Sequence, residues 1–174
     1  METLSVLKDI GLRGNGDIYL GVVGPVRVGK STFIKRFMEV LIIPHIKNED
    51  DKKRALDELP QSGIGKTIMT MEPKFVPSNA VEVLVEENLT VKVRLIDCVG
   101  YIIENAQGYL EDGKMRMVKT PWFSETIPFD DAAKIGTQKV IKEHSTLGIC
   151  VLSDGTINEF TETDHEWEYA AHDH

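Results

Sequence analysis

The sequence predicts an α/β fold in which a mostly parallel sheet carries one antiparallel strand. An apolar segment at 18–23 predicts a buried strand that runs through a glycine-rich loop into a helix. Two alternating segments, 81–85 and 91–95, are joined by a short polar link and predict a β-hairpin. A continuous apolar run at 147–152 is typical of a strand buried on both faces. With 174 residues the chain has the length of one domain.

Helices are predicted on both sides of the first strand. Residues 4–10 are predicted to form a short amphipathic helix, and residues 29–41 are predicted to form the helix after the glycine-rich loop. Pro44 prevents that helix from continuing far, because proline lacks a backbone N–H. Residues 48–59 then predict a charged, exposed helix that is capped by Asn48 and ends before a proline.

Loops dominate the rest of the chain apart from the hairpin and one helix. Residues 61–77 have no clear period and predict a loop, and residues 101–129 are rich in glycine, proline and polar residues. Residues 130–144 predict a helix whose inward face is formed by Ala132, Ala133, Ile135, Val140 and Ile141.

Composition narrows the classes of function and location. The formal net charge of −8 argues against a general nucleic-acid binder, because such proteins cluster Lys and Arg to displace counterions. No apolar segment is long enough to cross a bilayer and the N-terminus has no signal-peptide pattern, so we expect a cytoplasmic protein. Cys98 and Cys150 fall on different predicted strands, and we expect both to be reduced core residues.

The loop after the first strand has the spacing of a phosphate-binding loop. Its sequence is G-x-x-x-x-G-K-S, formed by Gly24, Pro25, Val26, Arg27, Val28, Gly29, Lys30 and Ser31, with Thr32 next in the helix. The glycines allow backbone N–H groups to surround a phosphate chain, and the helix N-terminus adds positive partial charge. We expect Lys30 to reach the β- and γ-phosphates and the Ser31 hydroxyl to ligate Mg²⁺. This pattern predicts a P-loop NTPase.

Further Mg²⁺ and phosphate ligands are predicted downstream. Asp97 ends the second hairpin strand, where a P-loop protein holds its Mg²⁺ directly or through water. The D-x-x-G form of this sequence adds Gly100, whose N–H can approach the γ-phosphate. When a triphosphate is bound, Mg²⁺ needs another hydroxyl ligand from the segment before the hairpin. Thr67 and Thr70 are the candidates, and we favour Thr70.

The group that activates water stays open. Many GTPases of this architecture carry a water-orienting glutamine where this chain has Tyr101, so we expect catalysis from positioning, Mg²⁺ and another group, including one supplied in trans. Arg27 either contacts phosphates or a neighbouring subunit's nucleotide, or is an exposed basic residue. A second loop-like string, Gly65-Lys66-Thr67, is rejected because Pro60 stands where its first glycine belongs.

Several strings resemble the stage IV sporulation protein A family, the spore-coat morphogenetic ATPases of endospore-forming bacteria. They are Gly21-Val22-Val23-Gly24, Gly29-Lys30-Ser31-Thr32-Phe33-Ile34-Lys35, Asp57-Glu58-Leu59-Pro60-Gln61-Ser62, Gly65-Lys66-Thr67-Ile68-Met69-Thr70, Glu72-Pro73-Lys74-Phe75-Val76-Pro77 and Asp97-Cys98-Val99-Gly100-Tyr101, with shorter matches to about Gly155. We therefore expect an ATPase domain at 1–155 and an acidic tail at 156–174 without a clear family match. In that tail, His165, His172 and His174 lack the spacing of a metal site.

The resemblance implies a fold related to translation-factor GTPases with a preference for ATP, and therefore ATP and Mg²⁺ as cofactors. It assigns nucleotide binding to Lys30, γ-phosphate sensing to Thr70, and Mg²⁺ binding and hydrolysis to Asp97. Tyr101 agrees with the family, whereas Met71 replaces a second threonine. Family members polymerise on the forespore surface as the base of the coat. This implies self-association and contacts with coat proteins and the forespore membrane surface.

Departures from the family keep other hypotheses open. The chain lacks the Asn-Lys-x-Asp guanine-reading motif and the strands that complete such a sheet, so we expect an incomplete sheet, with weak nucleotide binding or incomplete folding. A regulatory GTPase of the same fold and a non-hydrolysing structural fragment are the alternatives. A nucleotide kinase is disfavoured because the hairpin does not suit an all-parallel sheet.

Overall fold

The computed structural model describes residues 16–26, 28–61, 72–86, 89–102, 110–111 and 113–152. Several predictions lie outside these residues: the helix at 4–10, Arg27, Thr67, Thr70 and the tail at 156–174.

Short strands and helices alternate along the described chain. The strands are β1 (Asp17–Val23), β2 (Lys74–Glu86), β3 (Leu89–Asp97), β4 (Leu110–Glu111), β5 (Lys114–Met115), β6 (Met117–Val118), β7 (Ile127–Pro128) and β8 (Leu147–Cys150). The α-helices are α1 (Lys30–Phe37), α2 (Glu49–Asp57) and α3 (Phe129–Lys139).

A four-stranded sheet in the order β2-β3-β1-β8 forms the centre of the fold. β1 pairs in parallel with both β3 and β8, whereas β2 and β3 form the antiparallel hairpin. This arrangement confirms the predicted α/β class with a mostly parallel sheet and one antiparallel strand. The register pairs Val22 with Asp97, so the carboxyl ends of β1 and β3 lie side by side. That edge of a parallel sheet is where ligands bind in open α/β folds.

The main core lies between one face of the sheet and the first helices. Ile18, Leu20 and Val22 alternate along β1 and are fully or almost fully buried together with Ile34 and Met38. This alternation places Tyr19 and Gly21 on the opposite face, where Val140 contributes to a second cluster. Packing on both faces fixes the direction in which the loop after β1 leaves the sheet.

The first two helices follow the sequence expectation closely. α1 begins at Lys30 and continues as a π-helical turn (Met38–Ile42) and a 3₁₀ turn (Ile43–His45) that contains Pro44. These π-helical and 3₁₀ turns keep the chain helical as far as Pro44, which cannot donate a backbone hydrogen bond. Asn48 caps α2 as predicted, since its Oδ1 accepts from the N–H of Asp50 and Asp51 at 2.9 and 3.0 Å.

The predicted loop at 61–77 is wrong at its C-terminal end. β2 begins at Lys74, and Lys74, Phe75 and Val76 pair with Asp97, Ile96 and Leu95. The ladder then shifts its register between Val76 and Val81. Such an irregularity accommodates Pro77, which cannot donate to the ladder, and the two prolines in this segment hid the strand from its sequence pattern.

The predicted burial of the strand at 147–152 is also wrong. β8 ends at Cys150 and pairs only with β1 in the part of the chain that the structure describes. Leu147 is 42% exposed, and Cys150 is exposed rather than part of the core. Cys98 is buried as predicted. A continuous apolar run cannot by itself distinguish a central strand from an edge strand.

The segment between the hairpin and β8 contains more structure than predicted. Within 101–129, β4 pairs with β5 and β6 pairs with β7, so this stretch is not wholly loop. α3 is followed by a π-helical turn (Val140–His144). Together they cover the helix predicted at 130–144. Of its predicted inward residues, Ala132, Ala133 and Val140 are buried, and Ile135 and Ile141 are only half-buried.

Among the described residues, no helix has the length and hydropathy needed to span a membrane.

Candidate nucleotide-binding site

The predicted phosphate loop connects the carboxyl end of β1 to the N-terminus of α1. Gly24 has φ of +141°, and a Cβ at this position would lie 2.2 Å from the carbonyl oxygen of Val151. Only glycine can make this turn so close to the backbone of Val151. Gly29 precedes α1 with φ of +100°, and its carbonyl accepts the N–H of Phe33 at 2.9 Å. The two glycines therefore let the loop fold back on itself and start the helix.

Lys30 is the buried cation of this loop. Its side chain is 5% exposed, and its Nζ donates to the carbonyl oxygen of Pro25 at 2.6 Å and to that of Gly24 at 3.1 Å. A buried ammonium needs polar partners, and these carbonyls hold it inside the loop. The lysine side chain is therefore held against the backbone of the loop whose spacing predicts phosphate binding.

Ser31 and Asp97 meet across the junction of α1 and β3. The Ser31 hydroxyl donates to Oδ2 of Asp97 at 2.5 Å. Oδ1 of the same carboxylate is buried and has no hydrogen-bond partner among the described residues. Burial raises the pKa of Asp97, whereas the Ser31 hydrogen bond and the positive charges of Lys30 and Lys74 lower it. This pKa is raised overall because burial is the largest of these effects.

This pair of side chains fits a magnesium ion. Mg²⁺ prefers oxygen ligands and is bound by one or two carboxylates together with substrate phosphates. The Ser31 hydroxyl, which donates to Oδ2 of Asp97, and the buried Oδ1 of the same carboxylate, which has no hydrogen-bond partner among the described residues, supply such oxygens. A bound cation would also remove the cost of leaving a buried carboxylate oxygen without a partner.

Gly100 brings the D-x-x-G segment onto the phosphate loop. Its φ is +89°, and a Cβ at this position would lie 2.2 Å from the carbonyl oxygen of Gly24 and 2.4 Å from Nζ of Lys30. The two segments are therefore in direct contact, with no room for a side chain between them. The structure thus brings together six of the predicted site residues: Gly24, Pro25, Lys30, Ser31, Asp97 and Gly100.

Other predicted site residues have different surroundings. Val26 packs against the cluster around Phe129, and the side chain of Thr32 is exposed. Val28 is half-buried and donates its N–H to the carbonyl of Pro25 at 3.4 Å. Thr70 and Arg27, which lie outside the described residues, stay predictions.

Sequence reasoning missed one charged neighbour of the site. Lys74 is the cross-strand partner of Asp97, so the two side chains project from the same face of the sheet. The sequence predicts a loop at 61–77 and therefore no strand that carries Lys74. The alternation of Lys74, Phe75 and Val76 was the available signal.

Comparisons with known proteins find a matching family model and similar proteins. The family model described as "Stage IV sporulation protein A, ATPase domain" matches residues 1–171 and thus includes most of the acidic tail. The chain is 58% identical over 165 residues to stage IV sporulation protein A of Bacillus anthracis and 57% identical over 165 residues to that of Bacillus subtilis (strain 168). It is 60% identical over 153 residues to the protein of the same name from Clostridioides difficile (strain 630).

These matches cover most of this chain but a minor part of each relative. They include 95%, 95% and 88% of this chain, and 34%, 34% and 31% of the Bacillus anthracis, Bacillus subtilis and Clostridioides difficile proteins. The chain therefore spans about a third of the length of the curated relatives that it matches. No solved structure matches it.

Proposed function

The chain belongs to the stage IV sporulation protein A family and matches its ATPase domain, and we propose that it binds ATP and hydrolyses it to ADP and phosphate with Mg²⁺. The observation that carries this proposal is the contact between Ser31 and Asp97 beside the buried Lys30. A hydroxyl, a carboxylate and an ammonium meet there at the carboxyl edge of a parallel sheet. These are the groups by which P-loop proteins bind a phosphate chain and its cation.

Lys30 is the residue that binds the β- and γ-phosphates. In the described arrangement its ammonium is held by two carbonyl oxygens of the loop, at 2.6 and 3.1 Å. Phosphate oxygens carry more negative charge than carbonyls and replace them as acceptors. The N-terminus of α1, which begins at Lys30, adds backbone N–H groups that point toward the same phosphates.

Ser31 and Asp97 hold the cation, and Thr70 completes the set when a triphosphate is present. When bound, Mg²⁺ neutralises charge on the β- and γ-phosphate oxygens as the terminal phosphoryl group is transferred. Asp97 acts in its ionised form, with Oδ2 fixed by the Ser31 hydroxyl and Oδ1 available as a ligand of the metal ion. Gly100 supplies the N–H that approaches the γ-phosphate.

The fold type that we infer is that of the translation-factor-related GTPases. The antiparallel pair β2·β3 directly before the D-x-x-G sequence supports this type over nucleotide kinases with all-parallel sheets. We propose a preference for ATP over GTP because the family model that matches the chain describes an ATPase domain.

The biological role that we infer is assembly. Relatives of this chain are named for stage IV of sporulation, and we propose that ATP hydrolysis drives polymerisation into the basement layer of the spore coat. The expected location is the cytoplasm on the mother-cell side of the forespore surface. Self-association, coat proteins and the forespore membrane surface are the proposed contacts, and the net charge of −8 argues against nucleic acid.

Side-by-side hydrolysis of ATP and GTP tests this proposal. We expect ATP turnover in the presence of Mg²⁺, lost in both Lys30→Ala and Asp97→Asn. Lys35→Ala is the matched control, because Lys35 lies on the same helix with its side chain 38% exposed. GTP turnover exceeding ATP turnover would favour the regulatory GTPase, and no turnover with either nucleotide would favour the structural fragment.

A further inference from the structure

Tyr101 lies alongside the phosphate loop. Its side chain is 1% exposed, and its backbone forms an isolated parallel bridge with Pro25. Within this bridge the N–H of Val26 donates to the carbonyl oxygen of Tyr101 at 2.9 Å. The main chain of Tyr101, which follows the glycine of the D-x-x-G sequence, is thus hydrogen-bonded to the phosphate loop.

This bridge resumes the parallel pairing of β1 and β3 with the register shifted by one residue. The last strand pair is Val22 with Asp97, and the next is Pro25 with Tyr101. Two residues separate the pairs on one side and three on the other, so the D-x-x-G segment carries one extra residue. Gly100, with φ of +89°, lies in this bulge. Positive φ at a bulge is readily adopted only by glycine.

The bulge lies against the ammonium of Lys30, the residue proposed above to bind the γ-phosphate. A methyl group on Gly100 would be 2.4 Å from Nζ of Lys30, whose ammonium is turned toward the loop carbonyls. The space beside the lysine is therefore too small for even one added carbon atom. A phosphate group is larger, so it can enter between Gly100 and Lys30 only if the D-x-x-G segment shifts far enough to admit it, and the Gly100 N–H then lies next to that phosphate.

We propose that Tyr101 is a positioning residue that straps the D-x-x-G segment to the phosphate loop, and that a γ-phosphate releases the Val26–Tyr101 hydrogen bond on entering. The proposal rests on the proposed ATP site. A diphosphate leaves the strap closed, because the β-phosphate is bound by the loop amides at the start of α1. The strap thereby makes the arrangement of the site depend on the third phosphate.

The buried ring explains why tyrosine suits this position. A buried side chain fixes the carbonyl that accepts from Val26, whereas an exposed glutamine would leave that backbone free to move. The strap therefore replaces a side chain that orients water with one that orients the loop. Tyr101 exerts its effect through the backbone of Val26 and contacts no reacting atom.

Hydrogen exchange at the Val26 amide tests the strap in the unaltered chain. We expect this amide to be protected in the nucleotide-free and ADP-bound chain, and its protection to fall with Mg²⁺ and a non-hydrolysable ATP analogue. NMR chemical-shift changes at the amides of Gly29, Lys30 and Ser31 report nucleotide binding independently of the strap. If the analogue shifts these amides but leaves Val26 protected, the strap is wrong and the ATP site stands. If neither nucleotide shifts them, the proposed ATP site itself fails.

Substitutions of Tyr101 provide a second test that separates the strap from a structural role. Tyr101→Leu loosens the anchor, and we expect the affinity for the ATP analogue relative to ADP to rise about fivefold, the equivalent of one net hydrogen bond of about 1 kcal/mol. Tyr101→Phe keeps the ring and should leave the ratio unchanged. Equal changes for both nucleotides in Tyr101→Leu would overturn the proposal. Thermal unfolding checks that each variant is folded.

Discussion

Gly100→Ala tests most sharply whether the phosphate loop and the D-x-x-G segment touch as described. Alanine at this position would have to adopt φ of +89° and place a Cβ 2.2 Å from the carbonyl oxygen of Gly24 and 2.4 Å from Nζ of Lys30. The carbonyl belongs to the backbone, and the lysine is held by two hydrogen bonds, so neither neighbour yields easily. The substitution therefore adds a steric penalty to a backbone penalty.

The size of each penalty follows from the geometry. Left-handed backbone costs a residue with a Cβ about 1–2 kcal/mol. Overpacking adds about 1–3 kcal/mol. We therefore expect Gly100→Ala to lower the free energy of unfolding by about 2–5 kcal/mol.

Gly16→Ala is the matched control, measured with Gly100→Ala by urea or thermal unfolding. Gly16 has φ of +90°, but a Cβ there would meet nothing within 4 Å. The control should lose only the backbone penalty, a fall in Tm of about 2–8 °C for a chain of this size. If the two variants lose the same stability, the two segments are not in contact and the described site is wrong.

Three further predictions concern a titrating group, a helix cap and a thiol. Because the pKa of Asp97 is raised in the folded state, the native state binds more protons than the unfolded state in a window above pH 3.8. Without metal, the stability of the wild type relative to Asp97→Asn should therefore increase as the pH falls from 7 toward 4, as measured by urea unfolding. A stability difference that does not change with pH would contradict this prediction. Asn48→Ala removes a cap that accepts two N–H groups and should cost about 0.5–2 kcal/mol by the same assay, whereas an unchanged midpoint would refute the cap. Burial also raises the pKa of the Cys98 thiol, so iodoacetamide at pH 8 should label the exposed Cys150 and leave Cys98 unlabelled in the folded chain, and equal labelling would show that the core is open.

The site could be predicted where its chemistry depends on residues close in sequence. The spacing of Gly24, Gly29 and Lys30 is enough to indicate a phosphate loop, because the loop and the helix start are local structures. Asp97 could be placed beside it because a hairpin strand ends at that residue. The hydrogen bond between Ser31 and Asp97 joins residues that are far apart in sequence. It was predictable only because P-loop proteins bind Mg²⁺ with both of these positions.

The parts that escaped prediction depend on pairing between distant segments. The strand that begins at Lys74 was not predicted because Pro73 and Pro77 are atypical of a strand. Its existence depends on the pairing of Lys74 with Asp97 across the hairpin. The apolar run at 147–152 is equally compatible with a central and an edge strand, so the exposure of Cys150 depends on which neighbours the strand has. The bridge between Tyr101 and Pro25 needs a register that no local pattern encodes.

The central claim is that Ser31 and Asp97 form one half of a magnesium–nucleotide site that the phosphate loop completes. Calorimetric titration of a non-hydrolysable ATP analogue, with and without Mg²⁺, measures this directly on the wild type, Ser31→Ala and Ser31→Thr. We predict a single binding site that Mg²⁺ tightens in the wild type and in Ser31→Thr, and that Mg²⁺ no longer tightens in Ser31→Ala. Binding of equal strength with and without Mg²⁺ in the wild type, or an undiminished effect of Mg²⁺ in Ser31→Ala, would contradict the account.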